Sequence, residues 1–199
     1  MGLPTLATSR LLLRPFRRSD AEAVWRLAGA REIAQYTLHI PHPYELQMAV
    51  TWIASHADRF AAGEGVTLAV TLQDGGELVG AMGLSVDGEN DTGELGYWIG
   101  LPYWGRGYAT EAARALLTYG FAELDLHRLY ACHLAPNVAS GRVMQKLGMV
   151  REGTLRGHVA KWGKRYDLVM YGLLRSEHGG IDKSGKRFAT KDDQGEEHD

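Results

Sequence analysis

Two glycines, Gly105 and Gly107, lie between a strand-like run at residues 95–99 and a helix with apolar periodicity that begins near Ala109. Glycine has no Cβ, so a ligand can approach the backbone of such a turn closely. The turn points several backbone N–H groups at one place, and the first helical turn adds unpaired donors and the positive end of the helix dipole. The arrangement predicts an anion site and favours a phosphate-bearing cofactor. A strand-to-helix corner without a ligand is the alternative.

The spacing of these residues argues against two common phosphate loops. A nucleoside-triphosphate loop requires Lys followed by Ser or Thr after the last glycine, whereas Tyr108 and Ala109 follow Gly107. A dinucleotide loop requires a third glycine, and Thr110 occupies that position. The spacing therefore favours a different kind of phosphate cofactor.

Composition indicates one domain with a polar tail. The chain has 199 residues, 45% of them apolar, and a net charge of −2, so we expect no direct binding to nucleic acid or to a membrane. Residues 176–199 are rich in charge and contain almost no apolar residues, so we predict a domain at residues 1–175 followed by a disordered tail. Cys132 is the only cysteine, which excludes an intrachain disulfide and a zinc finger. The lack of a signal peptide or a long apolar run favours the cytoplasm.

Hydrophobic periodicity predicts both strands and helices. We expect Ser19 or Asp20 to cap the first helix, and an irregular stretch at residues 36–44, which contains two prolines. The predicted strands are residues 10–16, 66–71, 78–86, 93–99, 128–133, 149–155 and 164–174, and the predicted helices after the first are residues 44–62, 109–122 and 137–147. This order predicts an α/β fold with a mixed sheet.

The glycine loop is one of several ordered motifs along the chain. The others include Arg10-Leu11-Leu12-Leu13-Arg14-Pro15, Gly96-Tyr97-Trp98-Ile99, Asn137-Val138-Ala139-Ser140, Lys146-Leu147-Gly148-Met149 and Tyr166-Asp167. Together they resemble the GNAT N-acetyltransferase superfamily, most closely the group that acetylates the N-terminal Ala or Ser of ribosomal proteins. Two positions depart from the superfamily pattern: Trp104 stands where Gln or Arg is common, and Met149 where Phe is usual.

The resemblance implies a central mixed, mostly antiparallel sheet, flanked by helices and splayed at the cofactor-binding strand. It implies an acetyl-CoA-dependent N-acetyltransferase that needs no metal ion, in which a primary amine attacks the thioester directly in a ternary complex.

The resemblance also implies a set of cofactor-binding residues. The backbone N–H groups from Gly105 to Thr110 bind the pyrophosphate, and the side chain of Arg106 either adds charge there or faces solvent. The strand at residues 97–99 pairs through its backbone with the pantetheine amides, and its aromatic side chains are interpreted as core residues. The complete predicted set is Tyr97, Trp98, Ile99, Gly105, Arg106, Gly107, Tyr108, Ala109, Thr110, Asn137, Ser140 and Lys146.

Residues of the next helix complete that set. Asn137 is expected to cap the helix by accepting from the N–H of Ser140, and the resemblance adds a contact with the pantetheine. It also implies that Ser140 points toward the sulfur and assists departure of the thiolate, with ordinary helix-start composition as the alternative. Lys146 or Arg142 is expected to meet the 3′-phosphate of the cofactor.

The general base is the least constrained part of the site. Glu94 is the first candidate, because it precedes the loop and could hold a water near the amine. His133 is the second, since imidazole titrates near neutral pH, and His158 and Asp167 follow. A structural or surface role is the alternative for each of them.

A site without an evident strong base suits an α-amine. An α-amine has a pKa of about 7.7–8.0 and is partly neutral near pH 7.5, whereas a lysine amine at about 10.4 is almost entirely charged. We therefore expect a protein N-terminal α-amine as the acceptor. The alternatives are a small-molecule amine, such as a polyamine or an antibiotic, and a non-catalytic CoA-binding protein. A homodimer is possible.

Overall fold

The computed structural model describes residues 2–178, so the predicted tail lies outside the described residues except for its first three. Eight strands within these described residues form one sheet in the order β1-β2-β3-β4-β5-β6-β8-β7. The strands are β1 (Leu6–Ala7), β2 (Leu11–Arg14), β3 (Gly65–Leu72), β4 (Leu78–Asp87), β5 (Thr92–Ile99), β6 (Arg128–Leu134), β7 (Val150–Lys161) and β8 (Lys164–Leu174).

Between residues 2 and 178, five α-helices flank the sheet. They are α1 (Ala21–Ala28), α2 (Arg31–Tyr36), α3 (Leu46–Ala61), α4 (Tyr108–Ala122) and α5 (Val138–Lys146). Three elements differ most from the sequence prediction. The strand β1 was not predicted, because two residues are too few to show alternation. The helix α2 was not predicted, because six residues are too few to establish a period. The strand β7 runs six residues past the predicted end at Leu155, with irregular pairing to β8 between Leu155 and Val159.

The sheet opens between its two parallel strands. β5 and β6 pair only from Thr92↔Arg128 to Glu94↔Tyr130. Beyond Glu94, β5 stays paired with β4 as far as Ile99, and β6 stays paired with β8 as far as Leu134. All other neighbouring strands are antiparallel. The mixed, mostly antiparallel and splayed sheet is therefore confirmed.

Each face of the sheet carries its own apolar cluster. One lies beneath α4 and α5 and includes Leu84, Leu116 and Leu129, which are almost completely buried. The other lies beneath α1 and α3 and includes Val24 and Trp98. Because side chains alternate along a strand, Tyr97 points to the α4 face and Trp98 to the opposite one.

Small residues let α4 lie close to the sheet. Ala112 and Ala113 are fully buried in its first half, and a Cβ on Gly120 would come within 2.9 Å of the Leu84 side chain. This close packing fixes where the helix begins, and so fixes the position of the glycine loop that precedes it.

A buried ion pair holds the start of α1 against β2. Arg14 donates from both terminal nitrogens to the Asp20 carboxylate at 2.8 and 2.9 Å, and the Arg17 N–H donates to it at 2.7 Å. Asp20 therefore does not cap α1 with its side chain as predicted; it is occupied by residues that precede the helix. Burial alone would raise the pKa of Asp20, but the hydrogen bonds from Arg14 and Arg17 outweigh it and hold that pKa below its ordinary value.

This lowered pKa makes stability depend on pH. The Asp20 carboxylate contributes its stability above the unfolded pKa of about 3.9, and that contribution is lost as the pH falls through the lower folded pKa. Asp20→Asn should reduce the free energy of unfolding by about 2 kcal/mol at pH 7, because Arg14 loses a charged partner. Urea denaturation should show this difference shrinking at pH 3. Glu22→Gln, which removes an exposed partner of Arg26, should change stability by less than about 0.5 kcal/mol. An equal loss for Asp20→Asn at both pH values would contradict the assignment.

Candidate active site

Gly105 and Gly107 lie in the turn between β5 and α4. Gly105 and Gly107 have φ angles of 75° and 80°, in the left-handed region that favours glycine. A Cβ on Gly105 would meet no atom within 4 Å, and one on Gly107 would meet only the Arg10 guanidinium at 3.5 Å. Gly107 is also the N-cap residue of α4. The backbone of the loop is therefore open to a ligand.

The loop also presents a row of unused donors. Among the hydrogen bonds of residues 2–178, none uses a backbone N–H of residues 105–110, and the first such bond of α4 runs from Glu111 to the Gly107 carbonyl. Unpaired donors at a helix start attract an anion, and the helix dipole adds to this attraction. This geometry fits the diphosphate of a CoA-type ligand.

A carboxylate ties the loop to the first strands. Glu111 accepts hydrogen bonds from the hydroxyls of Thr8 and Ser9 at 2.6 and 3.0 Å and from the Nε of Arg10 at 2.7 Å. Arg10 in turn donates to the Arg106 carbonyl at 3.0 Å. Burial would raise the pKa of Glu111, but the hydrogen bonds from Thr8 and Arg10 prevail and lower it. The sequence analysis did not assign this bracing role to Glu111. Its position as an acidic residue in the first turn of a helix was the available signal.

An open cleft lies beside the loop along α4. Its volume is about 600 Å³, and its lining includes Gly107, Thr110, Arg114 and Lys146. Arg114 donates to the Lys146 carbonyl at 3.2 Å, which links α4 to the end of α5. Two cations therefore lie on one cleft within reach of the loop. Lys146 was predicted here, Arg114 was missed, and Arg142 does not line the cleft.

Two aromatic residues fix the approach to the loop. The indole Nε1 of Trp104 donates to the Ile99 carbonyl at 2.6 Å, so this residue, which departs from the superfamily pattern, secures the end of β5. The Arg106 guanidinium lies 5.9 Å from the centre of the Tyr103 ring. Arg106 is exposed at the loop rather than buried in it.

Two hydroxyl groups meet across the opening of the sheet. The Tyr97 hydroxyl from β5 lies 2.6 Å from the Ser140 hydroxyl in the first turn of α5. Asn137 accepts from the Ser140 N–H at 3.2 Å, which confirms the predicted cap. Burial raises the pKa of Tyr97 to about 12, despite the opposing effect of the Ser140 hydrogen bond. Tyr97 is therefore a neutral hydroxyl here as well as a core aromatic, a role that its position in the sequence did not reveal.

The base candidates lie in different places. Glu94 sits where the strands part and accepts from the Cys132 thiol at 3.2 Å. Burial, followed by the charge of Glu94, raises the pKa of Cys132 to about 12, so the thiol stays protonated. His133 is buried beneath α5, with its Nε2 against Gly141. Only Glu94 of these two lies at the opening.

The two remaining candidates belong to the β7–β8 hairpin. The Asp167 carboxylate accepts from the Gly157 N–H at 2.7 Å, and His158 is exposed on β7. Gly96 leaves open space near Glu94, because a Cβ there would meet no atom within 4 Å. The structure thus offers Glu94 beside an empty volume, on the face opposite Tyr97.

Within residues 2–178 there is no group of three or more His, Cys, Asp or Glu side chains that could hold a metal ion. Across the same residues, every helix is too short or too polar to span a lipid bilayer.

Comparison with known proteins places the chain among acetyltransferases. Residues 10–150 match the model of the acetyltransferase (GNAT) domain. An uncharacterized N-acetyltransferase of Bacillus licheniformis, p20, is 30% identical over 179 residues, which are 89% of this chain and 100% of p20. YdaF of Bacillus subtilis, provisionally named a ribosomal N-acetyltransferase, is 39% identical over 103 residues, 51% of this chain and 56% of YdaF.

A solved structure shares the same fold. RimL, a ribosomal L7/L12 α-N-protein acetyltransferase in complex with coenzyme A, superposes with a TM-score of 0.79. The match has 18% sequence identity and covers 86% of this chain and 98% of that chain.

Substitution of the second loop glycine tests the anion site. Gly107→Asp should lower acetyl-CoA affinity by roughly 100-fold or more, because two like charges about 4 Å apart at an effective dielectric of about 20 repel by about 4 kcal/mol. Calorimetric titration with acetyl-CoA measures the loss. Gly63→Asp is the matched control, since Gly63 also has a positive φ of 75° in open space but lies after α3. If Gly107→Asp binds acetyl-CoA as tightly as Gly63→Asp does, the loop is not the anion site.

Proposed function

This chain belongs to the GNAT acetyltransferase family and is an acetyl-CoA-dependent N-acetyltransferase, and we propose that its acceptor is a protein N-terminal α-amine, acetylated by direct attack in a ternary complex. Three features support the proposal: a seat for the cofactor, a pair of hydroxyls at the leaving group, and an acceptor side without a strong base.

The cofactor seat follows the open edge of the sheet. The backbone N–H groups of residues 105–110 bind the diphosphate, and Lys146 with Arg114 binds the 3′-phosphate. The edge of β5 from Leu95 to Trp98 faces the opening without a strand partner, so the pantetheine amides can pair with it as an added strand. In this proposal Asn137, at the start of α5, contacts the same arm.

The Tyr97–Ser140 contact is the observation that carries the mechanism. When the amine attacks the thioester carbonyl, the C–N bond forms, the C–S bond breaks and the sulfur leaves as a thiolate. Ser140 donates its proton to the sulfur, and Tyr97, hydrogen-bonded to it at 2.6 Å, replaces that proton. A phenol with a raised pKa remains protonated at neutral pH, so it is always available as a donor. The proton that the amine gives to Glu94 passes on to solvent, and Tyr97 takes up one proton from solvent after the thiol leaves, so the protons balance over the cycle.

Glu94 is the candidate acceptor of the amine proton. It lies at the parting of β5 and β6, on the face opposite Tyr97, so the acceptor and the cofactor reach the carbonyl from opposite sides of the sheet. The open volume at Gly96 leaves room for the amine and a water between Glu94 and the thioester. A single carboxylate suits an α-amine, which is partly neutral near pH 7.5.

Removal of the two hydroxyls tests the mechanism. Ser140→Ala should lower kcat by about 100-fold, as expected for loss of a general acid, while acetyl-CoA affinity stays the same. Tyr97→Phe should lower kcat less, and the double variant should be no slower than Ser140→Ala, because Tyr97 acts through Ser140. Stopped-flow detection of free CoA measures the rates. Tyr119→Phe, a half-buried tyrosine on α4, is the control. Additive losses in the double variant would separate Tyr97 from the proton path.

An acceptor screen tests the choice of amine. Peptides that begin with Ala or Ser should release CoA, and the same peptides with blocked N-termini should not. Spermidine and an aminoglycoside are the comparison substrates. Faster turnover of either would favour the small-molecule alternative, and CoA binding without turnover on any amine would favour a non-catalytic protein.

A further inference from the structure

The tip of the β7–β8 hairpin breaks a local rule of backbone geometry. Lys161 pairs with Lys164, so Trp162 and Gly163 form a two-residue turn. Their φ angles are 49° and 74°, as in a type I′ turn, where Asn and Gly are preferred at both positions. A tryptophan in the left-handed region is strained, because its Cβ crowds the backbone there. Trp162 is also 46% exposed, so burial does not compensate for this strain.

The tip touches the other half of the splayed sheet. Lys161 donates from Nζ to the Thr37 carbonyl, and the Trp162 ring lies 5.5 Å from the Arg31 guanidinium and 6.2 Å from the His42 ring. Thr37 and His42 belong to the segment between α2 and α3, which packs on the β1–β5 half. The two halves that part after Glu94 therefore meet again at the hairpin tip, and the open volume at the sheet lies between these two points.

This contact carries excess positive charge. Residues 31–45 and 156–165, which supply the contacting segments, contain five Arg or Lys residues and two acidic ones, Glu32 and Glu45. Within residues 2–178, neither Arg31 nor Lys161 forms a salt bridge. Their cations lie instead against the Trp162 ring, at 5.5 and 5.4 Å. A ring contact leaves the charge of each cation uncompensated.

We propose that Arg31, Lys161 and Trp162 form a specificity site that selects acceptor chains with acidic residues directly after the reacting N-terminus. The inference rests on the proposed function and specifies which protein N-termini are acetylated. Trp162 holds the two cations at the hairpin tip through cation–π contacts. The cations attract carboxylates on the incoming acceptor chain. The same charges repel a polyamine, because like charges brought together raise the free energy of binding.

A peptide series of constant first residue tests this selection. Three peptides beginning with Ser carry Glu-Glu, Gln-Gln or Lys-Lys at the next two positions. The kcat/KM for the Glu-Glu peptide should exceed that for the Lys-Lys peptide by about 30-fold, a value in keeping with a few partly exposed charge pairs. The ratio should shrink at high salt, because exposed charges are screened.

Charge-reversal variants locate the effect. Arg31→Glu and Lys161→Glu should each reduce the preference for Glu-Glu by about tenfold, and the double variant should prefer Lys-Lys. Arg59→Glu changes the net charge equally on the exposed end of α3 and should leave the preference unchanged. Acetyl-CoA affinity, measured separately, should remain constant in all of these variants.

Trp162→Asn separates function from folding. Asn suits the left-handed position, so the melting temperature should rise by about 2–4 °C, which corresponds to about 1 kcal/mol in a domain of this size. The preference for the Glu-Glu peptide should nevertheless fall, because the cations lose the ring that positions them. An unchanged preference in this variant would remove Trp162 from the site.

The outcomes distinguish this inference from the function on which it rests. If none of the three peptides is acetylated while another amine is, the proposed acceptor class is wrong. If all three are acetylated at the same rate, the N-terminal activity holds and the specificity site is refuted. A preference that persists in Arg31→Glu/Lys161→Glu would place the selecting charges elsewhere and would also refute it.

Discussion

The parting of β5 and β6 is the constraint on which the rest of the site depends. The two strands pair at three positions and separate after Glu94, while each remains bonded to its antiparallel neighbour on the other side. The separation exposes an edge of β5 inside the molecule, where a strand would ordinarily pair. It also brings Tyr97 on one half opposite Ser140 on the other. A continuous sheet would have neither the gap beside β5 nor a passage from one face to the other.

The sequence predicted those parts of the site that depend on local chemistry. The glycine turn at Gly105 and Gly107 and the side-chain cap at Asn137 depend on a few adjacent residues, and those residues can be recognised in the sequence. The bounds of β8 were predicted correctly for the same reason. The separation of β5 from β6 was predicted from the family resemblance alone, because no local sequence pattern indicates it. The roles of the individual site residues remain predictions.

The contacts that the sequence did not predict join residues that are distant in the chain. Tyr97 and Ser140 are separated by 43 positions, and Lys161 reaches Thr37 across 124. Such contacts follow from the packing of whole elements, so the sequence around one partner does not indicate which residue it will contact. Trp162 is a different case. Its position in a tight turn contradicts local preference, and a site where that rule fails is where function is expected to outweigh stability.

The bond network of Glu111 has a consequence for the order in which the enzyme matures. Residues 8–10 leave the ribosome about one hundred positions ahead of their carboxylate partner, so the beginning of the chain has to wait for α4 before either is fixed. Until then the loop at residues 105–107 lacks the contacts that hold it against β2. Removal of residues 8–10 would therefore loosen a loop that lies about one hundred positions further along the chain.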